Sequence, residues 1–570
     1  MNNKIIYSQI VRRLCKSKES YIVVWLITCI SSFMFFFVQS SIDGNRLYAL
    51  ALGHMDFLVA LDSNTILART FLIAFMFILS FLYYMFFHRF IKNEARAFGC
   101  FISLGVDPKS LKKIYLSIVG CTVITATIIG NVVGYISTDI LLNNYVISYG
   151  VEHLKKGLSY TNLLVGYLLP LITILIVVFW NIRDFFKKDV VSLLNYKEER
   201  NPITTKVSNQ ISKLFQGDYA FGMRIAFRKP FYVLMIVGAI WIFGVLFLFS
   251  ISLNASSNTA LEHSLYGRNY EYEVKFDNMK NRSTMDNQQA DYVIETGALI
   301  LDQNEEIEQI CYGIEPTGKL FQLYGKDDSV YCPKEGEIII SPRINQILGI
   351  MPGDQIKVKL GDSICQFQVL GIGINAENNG IYVSKSELEK ILSLTKDSYN
   401  VIYSDILLDA TETDGVVRSK DMIKADIDKE NVSNRISALI CQVLAMIVGT
   451  LLLYSAVLMN FEENYNNILR LHILGYRAKE INCLVVSVYE PIIIMGFLIG
   501  IFPTIWIGNK ISISLSQQTG DYMPFYTNEW IVLLNFLCII LLYIVIKSSF
   551  NRKIKKIGSK NLLLQSINNL

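Results

Sequence analysis

The stretch Cys100-Phe101-Ile102-Ser103-Leu104-Gly105-Val106 lies in a short polar segment between two long apolar runs. A second stretch, Arg470-Leu471-His472-Ile473-Leu474-Gly475-Tyr476, lies in the same context 370 residues later. With no gap introduced, Leu104-Gly105 aligns with Leu474-Gly475, and Gly130 aligns with Gly500. Internal repeats reveal a duplicated architecture. The spacing therefore predicts two related halves, each turning at a polar segment that we call elbow 1 (residues 89–113) and elbow 2 (residues 460–482).

Long apolar runs dominate the rest of the chain, which is 52% hydrophobic and only 18% charged over 570 residues. About 20 apolar residues are needed for a helix to cross a bilayer. The first run is too long, and lacks the small-residue cleavage site, for a signal peptide. Eight runs are predicted to span a membrane, at residues 22–41, 71–88, 114–136, 163–181, 231–252, 436–459, 483–506 and 529–547.

The basic residues are distributed unevenly between the loops. About thirty Lys and Arg lie in the segments that contain the two termini, the two elbows and the central linker, whereas about five lie in the short loops on the opposite side. Positive charge marks the cytoplasmic side of a membrane protein. Both termini and both elbows are therefore predicted to be cytoplasmic.

The predicted fold is an α-helical polytopic membrane protein with eight spans in two four-span repeats and an α/β extracellular domain inserted after span five. The predicted domains are a basic cytoplasmic helix (1–21), a four-span half (22–181), a cytoplasmic linker with a second basic helix (182–230), span five (231–252), the extracellular domain (253–435), spans six to eight (436–547) and a basic tail (548–570). Each half has an even number of spans, so the repeat is expected to be parallel.

The inserted region has the patterns of a folded domain. Ile356, Val358 and Leu360 alternate with polar residues before a Gly-Asp turn, which is typical of a hairpin. Ser384–Leu394 is predicted to be a helix, with Ser384 as its N-cap. The region has a net charge of −12, which favours cationic ligands or is simply a solvated surface. Three of the ten cysteines, Cys311, Cys332 and Cys365, lie in it and could form at most one disulfide.

Catalytic and metal motifs were weighed and rejected. Residues Gly313 to Lys319 have the spacing of a phosphate-binding loop, but Leu320 stands where magnesium coordination needs Ser or Thr. The five histidines are scattered without zinc-ligand spacing. No catalytic residue, metal site, cofactor or nucleic-acid partner is predicted for this chain, and we expect it not to be an enzyme.

Glu490 is the only acidic residue well inside a predicted span, and Pro491 follows it. A carboxylate within a membrane is costly and is by default a functional candidate. We expect either a contact that relays motion between the membrane and elbow 2, with a kink at Pro491, or a polar contact that holds helices together.

The elbows present apolar residues beside basic ones on the cytoplasmic side. Exposed apolar residues at such a turn suggest a docking surface for a partner, although a turn packed on its own bundle is the alternative. Gly ends a short helix cheaply in a left-handed conformation. The predicted docking residues are Phe98, Leu104, Gly105, Arg470, Leu474, Gly475 and Arg477.

With its span order, its basic helices and its two Leu-Gly elbows, the chain resembles FtsX-like permeases of ABC transporters, the MacB superfamily. Residues 2–194 look especially like bacitracin-resistance permeases. The stretch from Ile338-Ile339-Ile340-Ser341 to Val369-Leu370-Gly371-Ile372 looks like the outer domain of MacB-type permeases. The chain departs from the bacitracin-resistance pattern, which has ten spans, by showing eight.

The resemblance implies a permease subunit in the cell membrane, probable source a Gram-positive-type bacterium, that docks a separate cytoplasmic ABC ATPase dimer. ATP and magnesium would bind that partner, whose motion would reach the outer domain by mechanotransmission. The implied task is to handle antimicrobial peptides or peptide–lipid complexes at the outer leaflet, with a sensor kinase as a further partner. Export of lipids, lipoproteins or macrolides, and regulation of a cell-wall hydrolase without transport, are the alternatives.

Overall fold

The computed structural model describes residues 3–14, 18–185, 189–194, 202–213, 216–228, 230–282, 290–302, 305–316, 318–407, 415–519, 522 and 524–568. The chain divides into two compact units. The membrane unit comprises residues 1–250, 440–508 and 527–570, and the inserted unit comprises residues 251–439 and 509–526. The inserted unit is thus the predicted domain together with the loop between spans seven and eight.

The helices, in chain order, are α1 (Asn3–Leu14), α2 (Lys18–Asp43), α3 (Arg46–Leu52), α4 (Met55–Asn93), α5 (Ala95–Ser103), α6 (Pro108–Ser137), α7 (Asp139–Tyr149), α8 (Tyr160–Phe185), α9 (Val190–Leu194), α10 (Pro202–Ser212), α11 (Gly217–Arg228), α12 (Pro230–Leu265), α13 (Pro342–Leu348), α14 (Lys385–Ile391), α15 (Lys420–Glu463), α16 (Tyr465–Ile473), α17 (Ala478–Asn482), α18 (Tyr489–Thr519) and α19 (Glu529–Asn568). A π-helical segment, Cys483–Ser487, lies between α17 and α18.

The strands are β1 (Tyr272–Asn281), β2 (Ala290–Asp302), β3 (Glu305–Ile314), β4 (Leu323–Tyr324), β5 (Val330–Tyr331), β6 (Glu337–Ile340), β7 (Gln355–Leu360), β8 (Ser363–Ile372), β9 (Gly380–Ser384), β10 (Ser398–Ser404) and β11 (Gly415–Ser419).

Eight helices among the described residues are long and apolar enough to cross a membrane, which confirms the number of predicted spans. They lie within α2, α4, α6, α8, α12, α15, α17–α18 and α19. The basic segments that precede spans one and five are helical as well, as α1 and α11.

The first half is packed backbone against backbone. On α6, Gly130 and Gly134 face α2, and a Cβ added to Gly130 would lie 2.5 Å from the carbonyl oxygen of Cys29. Small residues four apart allow two membrane helices to approach closely. Since no side chain fits there, these two glycines fix the distance between α2 and α6.

The far end of the first half, opposite elbow 1, is closed by the loop between α7 and α8. The Asn45 side chain accepts a hydrogen bond from the Lys155 backbone N–H at 2.8 Å and donates to the Lys155 carbonyl at 2.8 Å. Asp43 accepts from the Ser159 backbone N–H at 2.7 Å. A Cβ on Gly44 would lie 2.1 Å from the Lys155 carbonyl oxygen. This end of the half is therefore fastened to its own loop.

The second half uses a large side chain where the first uses backbone contact. Trp241 of α12 donates a hydrogen bond to the Gly496 carbonyl at 2.9 Å and lies against Gly500 of α18. An indole needs such a partner when it is buried. The aligned glycines Gly130 and Gly500 thus make room for different neighbours.

The inserted unit is built around a nine-stranded sheet in the order β11-β1-β10-β2-β3-β9-β6-β8-β7. Strand β2 also pairs with β7, so the strands from β2 to β7 close into a six-stranded barrel. Ile338, Val358 and Ile381 are fully buried in the barrel core. Closing a sheet removes its edges. The predicted hairpin is confirmed as β7–β8, and the predicted helix as α14, but Ser384 makes no side-chain cap.

The unit is richer in strands than the α/β prediction implied, because α13 and α14 are only seven residues each. The phosphate-loop-like stretch begins in β3, and the next element is the short strand β4, so the stretch leads from strand to strand. Its Thr317 lies outside the described residues.

Candidate functional site

The two elbows have the same backbone course. Helix α4 ends at Asn93 and α15 at Glu463; α5 spans Ala95–Ser103 and α16 spans Tyr465–Ile473. Every one of these boundaries is separated from its counterpart by 370 residues, the spacing seen in the sequence. The geometry of the turn is therefore set locally in each elbow.

Each short helix ends in the same hydrogen-bonded cap. In elbow 1, Gly105 N–H donates to the Ile102 carbonyl and Val106 N–H donates to the Phe101 carbonyl, both at 3.0 Å. This pair of bonds is a Schellman motif, which needs a left-handed residue after the helix. Gly105 supplies it with a φ of 84°.

Elbow 2 repeats these bonds. Gly475 N–H donates to His472 at 3.1 Å, Tyr476 N–H donates to Leu471 at 3.0 Å, and Gly475 has a φ of 87°. The predicted role of the two glycines as helix terminators is confirmed.

The leucines beside these glycines are exposed. Leu104 is 69% and Leu474 73% exposed, although both are large apolar side chains. Each lies at the tip of a turn whose backbone is held by the glycine cap. The arrangement therefore places one apolar side chain at the same position on each elbow.

Phe98 does not share this surface, and its predicted exposure is wrong. It is 1% exposed and its ring lies edge-on to Tyr115 with the centroids 5.4 Å apart. Its counterpart Ile468 is buried too. The period of a helix explains the difference: residues six positions apart on a turn and its loop face different sides, so Phe98 holds the elbow against α6 while Leu104 points away.

Basic side chains surround both tips. Arg470 and Arg477 are exposed on elbow 2, and Arg96 and Lys109 are exposed on elbow 1. An apolar tip flanked by cations suits a partner surface that carries an apolar pocket and carboxylates.

The helix that follows each elbow is started differently. The Asp107 side chain accepts a hydrogen bond from the Lys109 backbone N–H at 3.1 Å, as an ordinary N-cap. In elbow 2 the Glu480 side chain reaches back to the Arg477 backbone N–H at 2.9 Å. Both start a helix at the same place, by opposite ends of the same capping geometry.

A buried ion pair joins the two elbow regions, and sequence reasoning missed it. Arg89, near the end of α4, is 4% exposed. It donates to the Met459 carbonyl of α15 at 3.2 Å and forms an ion pair with Glu462, which also accepts from Ser20 at 2.9 Å. Arg89 follows a predicted span directly, so its charge was counted only as a topology signal; nothing in a single sequence pairs it with Glu462.

Glu94, at the start of elbow 1, is bound in turn by Arg13 of α1. On the other side, Glu19 at the start of α2 is bound by Lys553 of α19. The two basic helices and the tail of α19 thus hold the elbow end of the membrane unit together by charge. Ion pairs of this type gain from the low dielectric of partly buried sites.

Glu490 is paired rather than isolated. It forms an ion pair with Lys547 of α19, and both side chains are about one third exposed. Pro491 is the third residue of α18, where a missing backbone N–H costs little. The irregularity lies before it, in the π-helical segment Cys483–Ser487. The predicted kink at Pro491 is therefore displaced by one turn.

Neighbouring side chains satisfy the carbonyls that the π-helical segment leaves without regular partners. Tyr543 of α19 donates to the Val486 carbonyl at 2.5 Å, and Asn460 of α15 donates to the Val485 carbonyl at 3.5 Å. π-helical turns occur often at functional positions. The corresponding residues of the first half, 113–117, are an ordinary part of α6.

A buried polar cluster lies within the inserted unit. Arg268 donates to Glu377 at 3.1 Å, and Glu377 accepts from Tyr312 at 2.6 Å. Burial, followed by the nearby Glu377 charge, raises the pKa of Tyr312, so that this phenol stays a donor. Cys311 is buried beside it, and burial raises its pKa; Cys311, Cys332 and Cys365 are all free thiols.

Three comparisons with known proteins bear on this architecture. The family model "FtsX-like permease C-terminal" matches residues 69–190 and again residues 440–557. Both matched segments contain an elbow and the spans around it. A comparison with curated proteins found no match.

Among solved structures, the crystal structure of the extracellular domain of the noncanonic ABC-type transporter YknZ from Gram-positive bacteria is similar to part of the chain. The identity is 14%, the match covers 29% of this chain and 75% of that chain, and the TM-score is 0.16. Nothing below depends on a similarity of this size.

The chain is a multi-pass membrane protein, and both of its membrane halves carry the FtsX-like permease pattern. FtsX-like permeases are membrane subunits of ABC transporters without an ATPase site of their own. The match therefore supports a transporter permease subunit.

Proposed function

We propose that this chain is the permease subunit of an ABC transporter and that its two elbows dock a separate cytoplasmic ATPase dimer. The observation that carries the proposal is the exposed leucine that each elbow holds at the same position by the same glycine cap, Leu104 and Leu474. Two equivalent surfaces suit a partner with two equivalent subunits. ATP and magnesium would bind that partner, and this chain would bind no cofactor.

The proposed topology puts both termini and both elbows in the cytoplasm and the inserted unit outside, in the cell membrane of a Gram-positive-type bacterium. The distribution of Lys and Arg supports this orientation, because both elbows and the segments around α1, α11 and the end of α19 are basic. The eight spans return the chain to the side on which it starts.

Motion of the ATPase would enter through the elbows and leave through the helices that follow them. Arg89 and Glu462 tie the two elbow regions, so that displacement of one is felt by the other. Beyond elbow 2, the π-helical segment and the Glu490–Lys547 pair lie on the way to the inserted unit along α18. This is a mechanotransmission mechanism, in which the outer unit moves and no pore is required.

The proposed ligands are antimicrobial peptides or peptide–lipid complexes at the outer leaflet, which the complex removes and whose presence it passes to a membrane sensor kinase. The net charge of −12 in residues 253–435 supports a cationic ligand, since a negative field concentrates cations near the surface.

The docking surface is tested with Leu104→Asp and Leu474→Asp, singly and together. We expect each single change to weaken co-purification with the ATPase and the double change to abolish it, because a carboxylate would have to be desolvated in the contact. The matched control is Leu47→Asp, which alters an equally exposed leucine on α3, away from the elbows. Full recovery of the ATPase with the double variant would refute docking through these leucines.

The ligand class is tested by the ATPase rate of the reconstituted complex over a panel of cationic peptides, neutral peptides and lipids. Stimulation by cationic peptides that weakens as salt rises is the expected result. Stimulation by lipids or macrolides alone would replace the peptide proposal with export of those compounds. A complex that responds to none of them, in cells that fail to separate, would favour control of a cell-wall hydrolase.

A further inference from the structure

An apolar groove of about 330 Å³ lies on the first half, between α6 and α8. It is lined by Leu116, Leu175, Ile176, Phe179 and Trp180. Trp180 is 66% exposed although it is one of only five tryptophans. The groove is therefore a preformed apolar site, open at the side of the membrane unit.

Cations lie at the end of the groove nearest elbow 1. On α6, Lys109, Lys113 and Leu116 follow one another at helical spacing of four and three residues, so the two lysines continue the stripe that lines the groove. On α8, Arg183 is three residues beyond Trp180. Lys109, Lys113 and Arg183 are exposed.

The same cations lie near the first turns of α6, where backbone N–H groups add positive potential. The nearest described carboxylate on this helix, Asp107, is engaged with the Lys109 backbone N–H. The groove thus has an apolar body and a cationic mouth.

The second half has no such groove at the corresponding place within the described residues. The counterpart of Trp180 is Phe550, which is 0% exposed and packs on the rings of Tyr454 and Phe461. The counterpart of Arg183 is Lys553, which is bound to Glu19. The same positions of the repeat are therefore closed and charge-neutralised in one half and open and cationic in the other.

We propose that the groove between α6 and α8 binds one anionic phospholipid of the cytoplasmic leaflet, with an acyl chain on the apolar lining and the phosphate at Lys113 and Arg183. Basic pockets between spans on the cytoplasmic side select anionic headgroups, and tryptophan is favoured at the depth of the headgroups. The leaflet rests on the proposed topology; the binding itself does not need the ATPase.

The test uses the full chain in nanodiscs of phosphatidylethanolamine that contain a small fraction of brominated phosphatidylglycerol or, in parallel, of brominated phosphatidylethanolamine. Bromine quenches tryptophan only on contact, and the difference between the wild type and Trp180→Phe isolates the signal of Trp180. We expect Trp180 to be quenched far more by the anionic lipid. In the double variant Lys113→Gln/Arg183→Gln this preference should fall by about five-fold for each cation removed.

The matched control is Lys479→Gln/Arg552→Gln, which removes two exposed cations from the same side of the second half. Unchanged preference in that control, with loss in the first variant, supports the site. Equal quenching by both lipids overturns it and leaves the groove as ordinary lipid-facing surface or a seat for a partner helix. Equal loss in both double variants also overturns it, because the attraction would then belong to the whole basic face.

Native mass spectrometry provides a second measurement that does not depend on fluorescence. One phosphatidylglycerol should remain on the wild type and on the control, and not on Lys113→Gln/Arg183→Gln. Since no partner or nucleotide is present in either experiment, failure here leaves the docking of the ATPase untouched, and failure of docking leaves the lipid site untouched.

Discussion

The two halves of the membrane unit agree at their elbows and differ almost everywhere else. The cap bonds of elbow 1 recur in elbow 2 at a spacing of 370 residues, with Gly105 and Gly475 in the same left-handed conformation. Away from the elbows, the first half is fastened by its own loop through Asn45, whereas the second half leads into the inserted unit. The part that is kept is the part that would meet a two-fold partner.

The halves also differ just beyond the elbows. In the first half α6 is regular and an open groove lies beside it; in the second half a π-helical segment takes its place and α19 closes over it through Tyr543 and Phe550. One half is therefore rigid by backbone packing, and the other is held by side chains. Four variants test this contrast.

The largest effect is expected at the ion pair that joins the halves. Arg89→Met leaves Glu462 without its buried partner, which typically costs about 3–5 kcal/mol. Replacing both residues by methionine should cost much less, because no charge is then left uncompensated. Thermal unfolding of the purified protein, followed by size exclusion, measures both. A double variant as unstable as the single one would show that the pair itself, and not the unpaired charge, matters.

The next effect distinguishes backbone from side-chain packing. Gly130→Ala would push a methyl group against the backbone of α2 and should cost about 1–3 kcal/mol. Gly500→Ala would meet the Trp241 ring, which can move, so a smaller loss is expected. The same unfolding measurement compares them. An equal loss would contradict the distinction between a rigid and an adaptable half.

A smaller and equal effect is expected at the two caps. Gly105→Ala and Gly475→Ala should each cost about 1–2 kcal/mol, because an L side chain is strained at these φ values. Nothing lies within 4 Å of the added Cβ, so strain is the only cause in both elbows. Hydrogen exchange of α5 and α16 in each variant reports the local loss. A clear difference between the two would show that the elbows are not equivalent.

The smallest effect is expected within the inserted unit. Burial raises the pKa of Glu273, and Lys275 only partly offsets it. Its contribution to stability is therefore complete below the ordinary pKa of a glutamate and is lost as the pH rises through the raised value. Glu273→Gln should slow exchange of the β1 amides at neutral pH and change little at acidic pH. Faster exchange at neutral pH would mean that the ion pair with Lys275 prevails.

Sequence patterns reached the large features of the fold. Uncharged runs predicted the eight long helices, since a span needs a continuous apolar length, and that requirement is local. The Leu-Gly spacing predicted where α5 and α16 end, because the left-handed cap also depends on neighbouring residues only. The hairpin β7–β8 was visible as alternation around a turn.

The candidate site was reached only in part. Leu104 and Leu474 are exposed as predicted, while Phe98 is buried. Burial within a short amphipathic helix depends on which neighbour covers it, here Tyr115 of α6, and a single sequence does not name that neighbour. Glu490 was found by its cost in a membrane, but its partner Lys547 was not, because that pairing joins two spans.

The sequence by itself determined the number of long apolar helices, the 370-residue repeat of the elbows and the glycine caps that shape them, since each depends on composition or on contacts a few residues apart. The tertiary structure alone decided that Arg89 meets Glu462, that six strands close into a barrel, and that one half keeps an open groove where the other is filled. These features join residues far apart in the chain, and only packing determines which of them meet.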